Sequence, residues 1–385
     1  MGATVTLEAA AVAAAVRRGL GDPAAVPLGW TVHAIAHPIA AATSGVYRVA
    51  GTAALRGRPV DWSLVLKVTA PPPRAAAPRP DWRREALAYA SGLLEDLPAG
   101  LTAPRCFGVE GAAATEAGPV RLWLEDLAAG GAQGPPFTPA QYRRLARGLG
   151  ALAGAYPGRR PLPAHPWLRR GDARREHAAG AGRLATLEAL AQRADPWIQR
   201  GWPPDVRARV LDGFAAAPAL LAALEALPHS LGHQDAVPRN LFLRPDGAAG
   251  PAAVVAIDWA QVGLSPVGRD LAYLVAGGIH ASAVAPAALP AVEAAALEGY
   301  LEGLADQGWR GAARDVRLGY LLSVGLRYGL LTAPLMLTGD AQRRQQIARS
   351  FGRPLEALAD VFREEQRFCL DRLDAARALL RAGPG

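Results

Sequence analysis

The chain has 385 residues, of which 51% are hydrophobic and 20% charged, and its formal net charge is +8. A chain of this length is too long for one small core and predicts two lobes or two domains. The first 150 residues carry 15 basic and 11 acidic side chains against 27 and 23 in the remainder, so the excess splits into +4 and +4, and this even spread argues against nucleic-acid binding.

The N-terminal part of the sequence predicts strands and one helix. Apolar and β-forming residues alternate or run together in five segments that we predict to be strands: 31–35, 45–50, 62–68, 106–109 and 120–124. A proline-rich loop at 71–80 precedes Asp81, which we expect to cap a helix carrying Glu85. A hinge is predicted at 125–127, where Glu-Asp-Leu is followed by glycine and proline.

The C-terminal part is predominantly helical in its pattern. Periodic leucine and alanine predict helices at 142–155, 181–192, 206–227, 318–337 and 354–381. Between the third and fourth of these, residues 230–259 form a loop-rich segment with two short apolar strands at 241–243 and 253–257.

Two residue types occur only once in the chain. Lys67 is the single lysine among 42 basic residues, and Asn240 is the single asparagine. Arginine is a rigid planar fork and lysine a compact charge on a flexible stem, so a site that needs the second cannot accept the first. A lone lysine on an apolar strand therefore indicates a specific site rather than a general surface charge.

The segment 233–240 has the residues that phosphoryl transfer requires. Asp235 would orient the attacking hydroxyl, and Asn240, five residues on, would offer a neutral oxygen to Mg²⁺. Asp258 ends the apolar strand at 254–257, where a carboxylate is costly unless it is paired or binds a metal. If these residues have structural roles only, Asn240 caps a turn and Asp258 begins a second turn.

Two further features point to phosphate. A lysine on a strand, held by a glutamate of the next helix, presents its ammonium to the nucleotide phosphates, and Lys67 and Glu85 fit this pattern. The alternative is a strand-end lysine that reaches water, with Glu85 on a solvated helix face. Residues 42–49 predict a small-residue turn in which the backbone N–H groups of Ser44 and Gly45 could approach phosphate.

In their order and spacing, these segments resemble the aminoglycoside phosphotransferase and choline kinase-like family of small-molecule kinases, from about residue 40 to residue 272. The resemblance implies an α+β, two-lobed protein kinase-like fold. A small strand-rich lobe at 1–127 would bind nucleotide, and a larger, mainly helical lobe at 128–385 would carry the catalytic loop and the substrate-binding helices. Asp270 matches the start of a helix in the family, which implies a structural role.

The resemblance also implies roles for individual residues. Asp235 would be the catalytic base, and Asn240 and Asp258 would be Mg²⁺ ligands. Contacts to ATP or GTP would come from Ser44, Gly45, Lys67, Glu85, Glu125 and Leu127, the last two in the hinge that holds adenine. Gln234 stands where the family usually has glycine, so we expect the backbone of the catalytic loop to differ there.

Protein kinases share these residues, but the spacing favours a small-molecule kinase. Only eleven residues separate Asp258 from Asp270, which leaves no room for a peptide-binding activation segment. We therefore expect an ATP- or GTP-dependent O-phosphotransferase for a hydroxyl of an antibiotic or natural product, which would be a resistance kinase. A metabolic kinase of a sugar or amino alcohol and a nucleotide-binding pseudokinase are the alternatives.

The C-terminal part has no acidic excess, which favours a neutral or anionic acceptor over a polycation. Trp167, Trp197 and Trp202 either line the acceptor pocket or pack in the core.

No signal peptide or membrane span is predicted, because Glu8 lies near the N-terminus and the uncharged stretch 271–292 contains glycine and proline. We expect a cytoplasmic enzyme with a nucleotide and a hydroxylated small molecule as partners, and with no nucleic-acid or membrane partner. The sequence leaves open whether the protein forms a homodimer.

Overall fold

The computed structural model describes residues 5–35, 43–71, 82–111, 118–158, 160–193, 195–245, 253–280, 284, 286–332 and 338–383. The chain divides into two compact units. The first unit consists of Met1–Gln133, His165–Trp167 and Phe242–Val262, and the second of Gly134–Ala164, Leu168–Leu241 and Gly263–Gly385. The functional division at residue 127 stays a prediction.

The described strands form three sheets. They are β1 (Val26–Ala34), β2 (Thr43–Leu55), β3 (Arg58–Thr69), β4 (Leu101–Thr102), β5 (Cys106–Glu110), β6 (Val120–Glu125), β7 (His229–Gly232), β8 (Leu241–Leu243), β9 (Val254–Ala256) and β10 (Gly263–Pro266). An antiparallel sheet has the order β1-β2-β3-β6-β5, a second sheet has the order β4-β9-β8, and β7 pairs with β10.

Most described helices belong to the second unit. The helices are α1 (Ala9–Leu20), α2 (Arg84–Ala90), α3 (Pro139–Gly158), α4 (Asp172–Gln192), α5 (Pro196–Gly201), α6 (Pro204–Glu225), α7 (Arg269–His280), α8 (Leu289–Asp306), α9 (Ala313–Ser323), α10 (Ala341–Phe351) and α11 (Leu355–Arg381). A π-helical segment, Val324–Thr332, follows α9 directly. No helix among the described residues is both long and apolar enough to span a membrane.

One face of the five-stranded sheet and helix α1 enclose the core of the first unit. Leu66 of β3 and Val49 of β2 are fully buried in this core, and α1 contributes Val12. Because successive side chains of a strand point to opposite faces, Lys67 lies on the face opposite to Leu66. Val46 is its cross-strand neighbour on β2.

A parallel strand pair brings a late segment of the sequence into the first unit. Val254 of β9 pairs with Leu101 of β4, and Asp258 follows β9 by two residues. This pairing places Asp258 in the same unit as Lys67.

In the second unit, α3 and α8 approach each other to backbone contact. A Cβ atom on Gly150 would come within 2.1 Å of the carbonyl oxygen of Tyr300, and one on Gly303 within 2.0 Å of the carbonyl oxygen of Arg147. Only glycine permits this approach. Ser230 of β7 donates to a carbonyl of α3, and the loop 233–240 runs from the end of β7 to the start of β8.

The concentration of strands in the first unit and helices in the second confirms the predicted α+β class, with three local differences. Residues 43–45 are not a turn but the start of β2, because Thr43 and Gly45 pair with Thr69 and Val68. The segment 318–337 is not one α-helix, since it becomes π-helical at Val324 where Gly325 packs against Leu373, and 333–337 lie outside the described residues. The predicted cap Asp81 also lies outside them, and α2 begins at Arg84.

Candidate active site

Lys67, Glu85 and Asp258 form an ion cluster in the first unit. β3 carries Lys67, the first turn of α2 carries Glu85, and Asp258 follows β9. The Nζ atom of Lys67 lies 2.5 Å from Oε2 of Glu85 and 2.8 Å from Oδ1 of Asp258. Lys67 and Glu85 are 8% and 3% exposed, whereas the side chain of Asp258 is 31% exposed. The fold thus brings together three residues that are distant in the sequence and leaves one carboxylate accessible.

The cluster keeps Lys67 charged. Burial alone would lower the pKa of its ammonium, but the charges of Glu85 and Asp258 outweigh burial and raise the pKa above the usual 10.5. A positive charge is therefore present at this position throughout the physiological range. The two carboxylates hold this ammonium in one place, and its contact with phosphate stays a prediction.

The backbone beside Asp258 is held by the helix that carries Glu85. Asp258 has φ 61°, a left-handed conformation that costs a non-glycine residue about 1 kcal/mol. Arg84, which is buried, donates hydrogen bonds of 2.7 Å to the carbonyl oxygens of Ala260 and Trp167. Arg84 therefore ties α2 to the turn that follows Asp258. Sequence patterns do not indicate this role, because arginine is abundant in the chain.

Asp235 and Asn240 contact each other in the second unit. The Nδ2 group of Asn240 donates to the backbone oxygen of Asp235 at 2.9 Å and to its Oδ2 at 3.1 Å. The backbone N–H of Asn240 donates to the carbonyl oxygen of Val237 at 2.9 Å, which closes a short helical turn. The NH₂ group of Asn240 makes both of these side-chain bonds, and neither bond uses its amide oxygen, which is the acceptor of this side chain.

The carboxylate of Asp270 holds the loop before Asp235. It is 3% exposed and accepts the backbone N–H groups of His233 and Gln234, each at 2.8 Å. Gln234 has φ 58°, a conformation that glycine adopts without strain. This backbone conformation explains why the family prefers glycine at the position, as the resemblance implies. In this chain Gln234 adopts the same left-handed conformation although it is not glycine. Asp270 has the structural role that we predicted.

Ser44 and Gly45 lie at the start of β2. Ser44 is exposed, whereas Gly45 is buried and pairs with Val68 of β3. A Cβ atom on Gly45 would come within 2.5 Å of the hydroxyl of Tyr47, so glycine makes room for that ring. Residues 36–42 lie outside the described part of the chain, and the phosphate contacts of Ser44 and Gly45 stay a prediction.

Side chains from β2 and from the residue that follows β8 contact the predicted hinge. Glu125 ends β6 and pairs with Arg244 through bonds of 2.8 and 3.2 Å. Burial would raise the pKa of the Glu125 carboxyl, but the bonds and charge of Arg244 lower it below its usual value. Asp126 accepts a 2.7 Å bond from Arg48 of β2, and Leu127 is 7% exposed. Sequence reasoning missed Arg48 and Arg244, again because arginine carries little signal here.

Two of the three tryptophans pack in the helical unit. Trp197 and Trp202 are 8% and 2% exposed, and the Trp197 ring meets Phe362 edge-on. Core packing is therefore the correct alternative for both. Trp167 belongs to the first unit and stacks on His165 at 4.8 Å.

The predicted residues thus form a group in each unit. Lys67, Glu85 and Asp258 meet in the first, and Asp235 and Asn240 meet in the second. The remaining predicted residues lie at the start of β2 and at the end of β6. The role of each residue in binding or catalysis stays a prediction.

A model of one protein family, the APH phosphotransferase enzyme family, matches residues 36–313 of the chain. This range covers well over half of the 385 residues and includes both groups. No curated protein sequence gives a significant match.

Solved structures of three kinases share the fold over nearly the whole chain. An aminoglycoside phosphotransferase from Alicyclobacillus acidocaldarius is 13% identical, with 97% of this chain and 98% of that chain covered and a TM-score of 0.54. A choline kinase from Cryptosporidium parvum is 12% identical, with 98% and 97% covered and a TM-score of 0.54. A microcompartment-associated aminopropanol kinase is 15% identical, with 91% and 94% covered and a TM-score of 0.52. At these identities the similarity shows the fold.

Proposed function

Since the chain belongs to the APH phosphotransferase enzyme family and is a phosphotransferase for small-molecule hydroxyl groups, we propose that it transfers the γ-phosphoryl group of ATP or GTP, with Mg²⁺, to an antibiotic or another natural product. Membership of this family supports an acceptor of this class. The single observation that carries the proposal is the contact of the lone lysine, Lys67, with Glu85 and Asp258.

The first group of residues suits a nucleotide with its metal. Lys67 offers a compact, permanently charged ammonium to phosphate oxygens. Mg²⁺ takes oxygen ligands, and the partly exposed carboxylate of Asp258 is a donor of this type, as is the amide oxygen of Asn240 in the second group. When bound, the metal neutralises charge on the phosphates. We assign the remaining nucleotide contacts to Ser44, Gly45 and the hinge residues Glu125 and Leu127.

Asp235 is the base in this proposal. Its carboxylate takes the proton of the acceptor hydroxyl while the hydroxyl oxygen forms its bond to the γ-phosphorus and the bond to the leaving β-phosphate oxygen breaks. Asn240 orients the carboxylate through its Nδ2 group. Asp270 acts as a positioning residue, because it fixes the backbone immediately before Asp235.

The charges of the second unit support a neutral or anionic acceptor. Carboxylates of α8 and α11 are already paired with arginines of α3, α5 and α6: Glu302 with Arg143, Asp306 with Arg147, Asp360 with Arg200, and Asp371 with Arg209. A polycationic acceptor requires carboxylates whose charge is not already neutralised. These pairs therefore argue against a polycationic acceptor such as an aminoglycoside.

The proposal is tested with a panel of hydroxylated antibiotics and sugars incubated with ATP or GTP and Mg²⁺. Mass spectrometry would show an added phosphoryl group on at least one neutral or anionic compound. We expect Asp235→Asn to lower turnover about 100- to 10,000-fold with an unchanged melting temperature. Full turnover in this variant would remove Asp235 from the mechanism.

A further inference from the structure

A buried carboxylate anchors the middle of the predicted hinge. Asp126 lies between Glu125 and Leu127 and is 6% exposed. It accepts bonds of 2.7 and 3.3 Å from the Nε and Nη2 atoms of Arg48, and one of 2.6 Å from the hydroxyl of Ser63. Arg48 belongs to β2 and Ser63 to β3, so two strands of the sheet hold the side chain of one hinge residue.

The two bonds between Arg48 and Asp126 fix the plane of the guanidinium group. Burial would raise the pKa of the Asp126 carboxyl, but the bonds from Arg48 and Ser63 lower it below its usual value, so the carboxylate is charged at neutral pH. Paired bonds of this kind set the geometry of an arginine side chain as well as balancing its charge. Arg48 therefore has a defined orientation, although its side chain is 42% exposed.

Arg48 lies on the same face of the sheet as Lys67. Val65 of β3 is the cross-strand neighbour of Arg48, and Val65 and Lys67 share a face because they are two residues apart. Val49, which follows Arg48, is fully buried in the core on the other face. The face that carries the ammonium of Lys67 therefore also carries the side chain of Arg48.

Along this face, Arg48 is nearer than Lys67 to the hinge. The strand β6 pairs with β3 and ends at the hinge. Leu122 of β6 pairs with Lys67, whereas Leu124 pairs with Val65, the neighbour of Arg48. Arg48 is thus one side-chain step, about 7 Å, closer to the hinge than Lys67 is. With the phosphates at Lys67 and the base at the hinge, as proposed above, the base would lie next to Arg48.

The guanidinium of Arg48 is free to make a further contact. Asp126 uses its Nε and Nη2 atoms, and Nη1 makes no hydrogen bond with the described residues. A guanidinium plane stacks on aromatic rings, and a purine base is an aromatic ring. The hydrocarbon stem of an arginine also covers apolar surface. Arg48 can therefore cover one face of a purine while Asp126 holds the guanidinium in place.

We propose that Arg48 binds the purine base of the nucleotide by covering one of its faces, and that Asp126 is the positioning residue that holds Arg48. This adds a contact from β2 to those that we assign to Glu125 and Leu127. The inference rests on the proposed function, because it assumes that the hinge holds the base of ATP or GTP.

The test compares a ligand that has a base with one that has none. Calorimetry measures how the full chain binds a non-hydrolysable ATP analogue and, separately, tripolyphosphate, each with Mg²⁺. We expect Arg48→Ala to bind the analogue about tenfold more weakly than the unaltered protein, and to bind tripolyphosphate equally well. Retained tripolyphosphate binding also shows that the variant is folded.

Two further variants serve as a matched control and as a second measurement. Arg58→Ala changes an exposed arginine at the start of β3, so this variant should bind both ligands as the unaltered protein does. Arg48→Lys keeps the charge but lacks the plane, and it should also bind the analogue more weakly with tripolyphosphate binding unchanged. Unchanged analogue binding in Arg48→Ala, or an equal loss of affinity for tripolyphosphate, would overturn the inference.

A double-mutant cycle separates contact with the base from support of the hinge. Because Asp126 acts through Arg48, Asp126→Ala should weaken analogue binding in the unaltered protein and have no further effect in Arg48→Ala. If Arg48 only balanced the charge of Asp126, the double variant would instead regain analogue binding, because it lacks the unpaired carboxylate. Such a recovery, or a further loss in the double variant, would contradict the assigned roles.

The unaltered protein tests the proposed function separately. If it bound neither ligand, the proposed function would fail, and this inference would fail with it. If it bound both ligands and Arg48→Ala bound them equally well, only the inference about Arg48 would fail.

Discussion

Asn240 donates hydrogen bonds to both the backbone oxygen and the carboxylate of Asp235, at 2.9 and 3.1 Å. The nitrogen of this amide holds the proposed base, and neither bond uses its oxygen, which is the atom that we propose as a ligand for Mg²⁺. This arrangement explains why an amide fits the position better than a carboxylate, which has no donor.

The first prediction concerns Asn240→Asp. This change replaces the donor by a second negative charge about 3 Å from Asp235, and a like charge raises the proton affinity of both carboxylates. We expect kcat to fall at least 100-fold and the acid limb of the kcat/KM profile to move to higher pH, because the base must be deprotonated. The affinity for the Mg²⁺ nucleotide should change less than tenfold, since a carboxylate oxygen also binds Mg²⁺. A kcat within threefold of the original would contradict this.

The second prediction concerns the left-handed backbone of Gln234, with φ 58°. A β-branched side chain is strained there, whereas glycine is not. We expect the free energy of unfolding, measured in urea, to be about 2 kcal/mol lower for Gln234→Val than for Gln234→Gly. Equal stability of the two variants would show that the loop does not require this conformation.

The third prediction concerns the pH dependence of stability through Glu176. Because its pKa is lowered in the folded state, its contribution to stability is present above the usual 4.5 and is lost as the pH falls through the folded-state pKa. We expect Glu176→Gln to cost about 3 kcal/mol at pH 7, since Arg269 and Arg327 lose their counter-ion, and to cost progressively less below pH 4.5.

Thermal unfolding of both proteins between pH 3 and pH 7 measures this difference. Glu364→Gln is the control, because Glu364 is 47% exposed and pairs with surface arginines, and its effect should be small at every pH. A cost of Glu176→Gln that does not change with pH would contradict the assignment.

Much of the fold and the core of the candidate site follow from local patterns. Alternating apolar residues predict β2, and a run of apolar residues predicts β3, most of whose later residues are buried. The pairing of Lys67 with Glu85 was predicted because a strand followed by a helix is a short-range feature. Asp258 was predicted as a site residue since it ends an apolar strand.

Features that depend on distant partners could not be predicted. The segment Phe242–Val262 joins the first unit through the pairing of β9 with β4, which links residues about 150 positions apart. Arg84 and Arg244 each hold the site through two hydrogen bonds, and nothing in an arginine-rich sequence distinguishes them from surface residues. The left-handed conformation of Gln234 was likewise hidden, because glutamine does not signal it.

The most direct test of the central claim is the affinity for a non-hydrolysable ATP or GTP analogue with and without Mg²⁺. We predict that Mg²⁺ tightens binding at least tenfold in the unaltered protein, that Asp258→Asn removes this effect, and that Lys67→Met weakens binding under both conditions. Absence of nucleotide binding in the unaltered protein, or a full Mg²⁺ effect in Asp258→Asn, would contradict the account.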